Sequence, residues 1–370
     1  MSFYKLQSIV TLAGRLAFFG VLFFSFSVSG VVKFPLLSDQ GSAALLALVI
    51  ALPIGHASSF WFMTAANLSA ISFVYAALTL LFQPTDLYDG WRRLTFGGFL
   101  PFVLCGAYLL FGAAKAKYVV KTRYTVSCDM VLASGGFRIV HLSDIHPGNL
   151  GSARDAARLY GMIDGENPDM VVLCGDIFDE NTKRTVFRRY LDVFSALHPK
   201  YGIYFVYGNH DIAYHWKKPS YTREELADGL RNAGVVILED EAAVTAGGTV
   251  TVIGRRSLTE SRLDARELIS PCRNNDRYTI VLCHEPVELS EIRDAGADLI
   301  LCGHTHGGQI FPAGMISEKI LKLHEAGSGM TDLGGGCRVI VSTGVGTWSY
   351  PVRTEGKSEI VVIDVTGKIP

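Results

Sequence analysis

"DMVVLCGDIFD", residues 169–179, runs five apolar residues into a Gly-Asp pair and a second aspartate three residues on. A run this short, valine-rich and unbroken by polar residues predicts a strand covered on both faces, as in a parallel sheet. Taken alone, the Gly-Asp that follows is an ordinary turn. The arrangement recurs four more times. "FRIVHLSDIH" (137–146) leads to Asp144 and His146, and "GIYFVYGNHD" (202–211) to Asn209, His210 and Asp211. "YTIVLCHEP" (278–286) leads to His284, and "ADLILCGHTHGGQ" (297–309) to His304 and His306. Open α/β sheets keep their ligands beyond the carboxyl ends of their strands. Five such ends supply oxygen and nitrogen donors and no thiolate, a set suited to a pair of divalent ions.

Helical signals at about 152–166, 183–198, 222–233 and 286–295 alternate with these strands, and "EIVVIDV" (359–365) should complete a sheet. The expected fold is an α/β sandwich, two sheets flanked by helices, with the site at one sheet edge. Each histidine also has a reading without chemistry. An isolated H-x-H on a surface strand needs no ligand, and a buried His210 needs only a hydrogen bond. The surrounding motifs turn both toward function.

The ordered blocks D-x-H (Asp144, His146), G-D-x-x-D (Gly175, Asp176, Asp179), G-N-H-D (Gly208 to Asp211), the lone His284 and G-H-T-H (Gly303 to His306) resemble the calcineurin-like metallophosphoesterase superfamily over roughly residues 136–366. "GHTHGGQ" together with "GVGTWSYPVR" (344–353) is further similar to a branch holding bacterial membrane-associated phosphodiesterases and some lipid A pathway UDP-diacylglucosamine hydrolases. Ser358 in "RTEGKSEI" departs from the Pro-Glu that this branch often carries. The resemblance implies one ion on Asp144, His146, Asp176 and His306, and a second on Asp176, Asn209, His284 and His304. Asp176 would then bridge them. It also implies that His210 protonates or hydrogen-bonds the leaving oxygen while Asp211 orients its ring, and that Asp179, Gly307, Gly308 and Arg353 support the site or meet substrate. The implied reaction is hydrolysis of a phosphodiester or pyrophosphate by a hydroxide shared between ions about 3.5–4 Å apart. Manganese is the expected metal, and the donor set also suits iron, zinc or cobalt.

Charge divides the chain sharply. Of 34 Lys and Arg and 35 Asp and Glu, only eight fall in residues 1–114: Lys5, Arg15, Lys33, Asp39, Asp86, Asp89, Arg92 and Arg93. Apolar stretches cover about 8–32, 41–83 and 96–114. A bilayer core takes roughly 20 helical residues, so the middle stretch reads as two helices and the total as four. The expectation is a transmembrane domain of about four helices over 1–116, a juxtamembrane linker over 117–135 and the metallophosphoesterase domain over 136–370. A cleaved signal peptide is the competing reading of the first stretch, but its apolar region is too long and no small-x-small site ends it. An even number of spans puts Lys5 and Arg15 on one side with Lys115, Lys117, Lys121 and Arg123, against Lys33, Arg92 and Arg93. The positive-inside rule makes that side cytoplasmic, and three spans would reverse it. These readings point to an integral protein of a bacterial inner or plasma membrane.

The seven cysteines form no C-x-x-C pair and read as reduced core thiols. A net charge of −1 and the lack of basic runs with interleaved aromatics give no reason to expect a nucleic-acid partner. Two segments near the motifs are open. "IAYHWKKPSY" (212–221) either grips phosphate and a planar group or merely crosses to the next helix. "FPAGMISEKILKLHEAG" (311–327) carries Ile316, Ile320 and Leu323 at helical spacing beside Lys319 and Lys322; it either rests on lipid, caps the pocket or packs on the domain, and packing is the expectation. The expected substrate is a phosphate ester on a lipid or lipid precursor, with soluble esters or nucleotides as the alternative. A non-catalytic sensor would lack a ligand, and a transporter would want acidic residues within its spans. The sequence has neither feature.

Overall fold

The computed structural model describes residues 19–28, 39–51, 59–131, 135–150, 153–212, 220–245, 247–322 and 324–368. The chain falls into two compact units, Met1–Phe111 and Gly112–Pro370. Lys5, Arg15, Lys33, Leu323 and most of the 212–221 segment lie outside the described residues.

The second unit contains β1 (Val119–Val131), β2 (Gly136–Leu142), β3 (Met170–Cys174), β4 (Ile203–Val206), β5 (Val235–Ile237) and β6 (Glu241–Val244), followed by β7 (Val250–Gly254), β8 (Tyr278–Leu282), β9 (Leu299–Cys302), β10 (Gly329–Gly334), β11 (Cys337–Val341) and β12 (Ser358–Lys368). They form two six-stranded sheets, ordered β1-β12-β2-β3-β4-β5 and β10-β11-β9-β8-β7-β6. The central strands of each run parallel, β2 to β5 in one and β7, β8, β9 and β11 in the other.

Side chains of period two, covered on both faces, explain why runs such as β3 and β9 carry no polar residue. Met170, Val172 and Cys174 of β3 point into the space between the sheets, where they meet Ile280, Leu282, Leu299 and Leu301. Val171 and Leu173 point the other way, onto Leu159 and Ile163 of helix Ala153–Asp164 and Phe187 and Phe194 of helix Arg184–Ser195. On the far side Val281, Ile300 and Val339 pack against Leu268, Leu289 and Ile292. The result is helix, sheet, sheet, helix, the architecture expected from the sequence. Because every motif follows a strand of these central sets, the layers bring the strand ends together.

The proposed linker over 117–135 needs correction. Most of it is β1, which pairs in parallel with β12 from Val119 opposite Ser358 to Ser127 opposite Thr366. Thr122, Tyr124, Val126, Cys128 and Met130 are the more covered positions, and Lys121, Arg123, Thr125, Ser127 and Asp129 the exposed ones. An edge strand covered on one face shows this alternation, and Thr and Cys at inward positions hide it in the sequence. Lys121 and Arg123, read as membrane-flanking charge, bind the carboxylate of Glu166 at 2.6 and 2.7 Å. The preceding helix ends at Lys117 and β1 starts at Val119, so hardly any linker remains.

In the first unit, helices occupy Phe19–Val28, Asp39–Ala51, Ser59–Phe82, Tyr88–Leu94 and Leu100–Lys117, the last running on into the second unit. Two stretches, Thr64–Phe82 and Leu100–Lys117, are long and apolar enough to cross a membrane. The first apolar stretch, 8–32, is described only in part, so the count of four rests partly outside the described residues. Ala43, Ala47, Ala65 and Leu68 pack inward with Leu22 and Phe26, whereas Phe73, Val74, Leu81, Val103 and Leu110 are exposed. Large apolar side chains thus lie both inside this unit and on its surface.

The β1 assignment has a direct test. Val126→Asp should destabilise the Gly112–Pro370 unit by about 3 kcal/mol, since it buries a charge between the sheets, whereas Thr125→Asp should change stability by less than about 0.5 kcal/mol. Thermal unfolding of the two purified variants separates a strand from a linker, which would tolerate both.

Candidate metal centre

Asp144 and His146 lie just beyond β2, Asp176 beyond β3, Asn209 beyond β4, His284 beyond β8, and His304 and His306 beyond β9. The loops interlock through their backbones: Asp144 N–H donates to Gly175 O at 3.0 Å and Ile145 N–H to Asp176 O at 2.9 Å. Asp144, His146, Asp176, His304 and His306 all have left-handed backbone, with φ of 49, 42, 53, 71 and 51°. Such residues are costly outside glycine, and several at one place signal a site that surrounding structure enforces. Two glycines permit the close approach. A Cβ on Gly208 would stand 2.2 Å from Asp176 Oδ1, and one on Gly303 2.4 Å from Asp144 Oδ2.

Two triads of possible metal-binding side chains result, Asp144 with His146 and His306, and Asp176 with His284 and His304, each with its donor atoms within 4.8 Å of one another. His306 Nε2 is 3.3 Å from Asp144 Oδ1, and His304 Nδ1 is 3.2 Å from His284 Nε2. Asp176 Oδ2 faces both triads, 3.1 Å from His284 Nε2 and 3.6 Å from His146 Nε2. The histidines are aimed from behind. His284 Nδ1 donates to the Cys174 carbonyl at 2.9 Å, which leaves the Nε2 lone pair turned toward the cluster. His146 Nδ1 faces Asp179 Oδ2 at 3.5 Å, and Asp179 is itself fixed by Thr182 Oγ1 at 3.0 Å and Asn181 N–H at 2.8 Å. Asn209 is buried, and the next residue, His210, donates its N–H to Asp176 Oδ1 at 2.8 Å.

Charge in the cluster is held tightly. Burial works against an ionised Asp176, but the facing His284, His210 and His146 outweigh it and keep the carboxyl well below its usual range. Burial likewise lowers His146, yet Asp179, Asp176 and Asp144 together push it up to about 9. Burial first, then the charges on His146 and Arg353, drive His306 well below an ordinary imidazole. Its Nδ1 is buried with no hydrogen-bond partner among the described residues. Ionised carboxylates facing buried imidazoles, and a buried unpartnered ring nitrogen, fit a site for divalent cations, which take the neutral form of the ring.

Gly307 and Gly308 complete a short turn after His306, and the buried Arg353 donates to the carbonyls of His306, at 2.7 Å, and Gly346. Arg353 thus fixes the backbone of the His306 turn. Asp211 departs from expectation: its oxygens accept the backbone N–H groups of Asp176 at 2.6 Å, Gly208 at 2.9 Å and Phe178 at 2.9 Å. Burial and the neighbouring Asp176 raise its carboxyl to about 7. The group on the His210 ring is Glu180, whose Oε1 lies 2.9 Å from Nδ1. Sequence reasoning missed it, although its position directly after the G-D-x-x-D block was the available signal.

The sequence profile described as calcineurin-like phosphoesterase matches residues 137–308. An uncharacterised metallophosphoesterase of Campylobacter jejuni is 29% identical over 305 residues, 81% of this chain and 77% of that protein. The uncharacterised metallophosphoesterase YkoQ of Bacillus subtilis is 33% identical over 191 residues, 50% of this chain and 68% of its own. A zebrafish (Danio rerio) "transmembrane protein with metallophosphoesterase domain" is 27% identical over 272 residues, 69% of this chain and 59% of that protein. Motif order, strand-end geometry and these likenesses converge: the chain belongs to the calcineurin-like metallophosphoesterases and is a phosphoesterase hydrolase.

Proposed function

We propose that the chain is a membrane-anchored phosphoesterase with two divalent ions, manganese among the candidates, cleaving phosphodiester or pyrophosphate bonds on a lipid or lipid precursor at the cytoplasmic surface. One observation carries the binuclear reading: a single carboxylate oxygen, Asp176 Oδ2, lies between histidines of both triads. In that reading Asp144, His146 and His306 hold one ion, Asn209, His284 and His304 the other, and Asp176 both. Bound there, the ions supply Lewis-acid activation of water and neutralisation of phosphoryl oxygens. His210 keeps Nδ1 on Glu180, so Nε2 is the atom that gives a proton to the leaving oxygen. Asp211 positions the loop through its three backbone bonds. The oxygen-and-nitrogen donor set admits manganese and equally iron, zinc or cobalt.

The membrane reading is supported by the two long apolar helices and by the relatives named as transmembrane proteins. Lys115 and Lys117 close the helix that enters the catalytic unit, which supports a cytoplasmic placement. A domain held at the bilayer meets lipid-borne substrate at high effective concentration and gains nothing for a freely diffusing one.

Asp176→Asn should lose bound metal by elemental analysis and at least about a hundredfold in rate. His210→Asn should keep both ions and lose about 10²–10⁴ in rate, most for poor leaving groups; Glu180→Gln should show a smaller loss with the same leaving-group trend. Full activity in Asp176→Asn with two ions retained would remove the mechanism. For substrate, the intact chain should turn over a diester or pyrophosphate on a vesicle-borne lipid with kcat/KM at least about tenfold above a water-soluble chromogenic diester. Cleavage of soluble esters alone would leave only a tethered phosphoesterase. Fusions of a fluorescent protein and of alkaline phosphatase after Pro370 report the side; strong alkaline phosphatase activity there would place the domain outside.

A further inference from the structure

The backbone of the 311–322 segment is held on the domain, but its large apolar side chains are not packed there, contrary to expectation. Phe311 is 55% exposed, Ile320 63%, Leu321 59%, and Met315 and Ile316 are exposed beside them. Trp348, 49% exposed, extends the same rim, because Gln309 donates to its carbonyl at 3.0 Å and accepts its N–H at 2.8 Å. The Trp348 ring stands 5.9 Å from that of His210. An apolar lip therefore borders the proposed reaction centre, and exposed apolar patches of this kind mark interaction surfaces.

What covers it follows from the segment that holds it in place. Thr354 Oγ1 accepts the Phe311 N–H at 3.1 Å, and the Glu355 carboxylate accepts those of Gly314 and Met315 at 2.8 and 3.0 Å. The same segment is bound to the end of the apolar helix: Arg353 N–H donates to Gly112 O at 3.0 Å and Lys115 Nζ to Thr354 O at 3.2 Å. One strap, residues 353–355, thus joins the lip to the last turns of a helix long and apolar enough to cross a bilayer. The lip also has the composition of an interfacial surface, with aromatic and aliphatic side chains and the exposed Lys322 at its end.

We propose that Phe311, Met315, Ile316, Ile320, Leu321 and Trp348 form a face that docks on the lipid bilayer, so that the metal centre opens at headgroup level. This rests on the membrane reading of the N-terminal third and is independent of any particular substrate. Phosphate esters embedded in the bilayer would reach His210 and the triads without leaving the interface, and the acyl part would stay in lipid.

The test uses the full chain in nanodiscs of phosphatidylcholine and phosphatidylglycerol, plain or brominated, with Ile320→Trp and Leu321→Trp set against Val244→Trp on β6, the far edge strand of the second sheet. After subtraction of the parent emission, brominated lipid should quench the added tryptophan at 320 and at 321 by roughly half, as expected for side chains about 5–10 Å into the interface, and leave that at 244 unchanged. Incorporation of the chain without quenching at 320 and 321 would overturn the docking face and leave a second copy or a protein partner as its cover. Failure of the chain to enter nanodiscs at all would overturn both this face and the anchored reading. Neither readout needs metal or turnover, so an inactive preparation does not confuse the result.

Discussion

Asp176 is bonded through every polar group it has. Its N–H is held by Asp211, its carbonyl accepts Ile145, Oδ1 accepts His210 N–H, and Oδ2 stands between His146 and His284. These contacts tie the ends of β2, β3, β4 and β8 to one residue. The sheet order places those strands so that their ends converge, and the two-sided burial of their apolar runs holds them at fixed depth. Fold and site are therefore not separable here. A shift of β3 by one residue would exchange its two faces and carry the carboxylate out of reach of both triads.

Legibility in the sequence followed burial. Runs such as "MVVLC" and "LILC" are apolar at every position because helices cover one face and the opposite sheet the other, and their short length sets them apart from the apolar helices of the first unit. Asp176, Asn209, His284 and His304 each stand at the first polar position after such a run, and Asp144, His146, His210 and His306 follow within the next few residues. β1 and the short β5, β6 and β10 were not legible: a strand covered on one face, with threonine and cysteine inward, carries too weak an alternation. The 311–322 lip was misread for a related reason, since a stripe of apolar residues gives the same periodicity whether it faces protein or bilayer.

Glu180 and Asp211 mark a different limit. Both carboxylates adjoin His210, one by space and one by sequence, and spacing alone favoured the sequence neighbour. The backbone reverses the choice: Asp211 turns back to gather the N–H groups of Asp176, Phe178 and Gly208, and the ring is left to a residue 30 positions earlier. Raised to about 7, the Asp211 carboxyl is a neighbour whose charge is costly beside Asp176, which accords with a structural post.

Five residues of the centre hold left-handed backbone, each at a cost of about 1–2 kcal/mol against glycine. That cost sets the evolutionary behaviour of the loops. Glycine at position 144, 146, 304 or 306 would relax the chain while deleting a donor, so stability and activity pull in opposite directions at the same codons. A descendant that had lost its chemistry would keep the sandwich and Asp176 and show glycine at position 144, 146, 304 or 306.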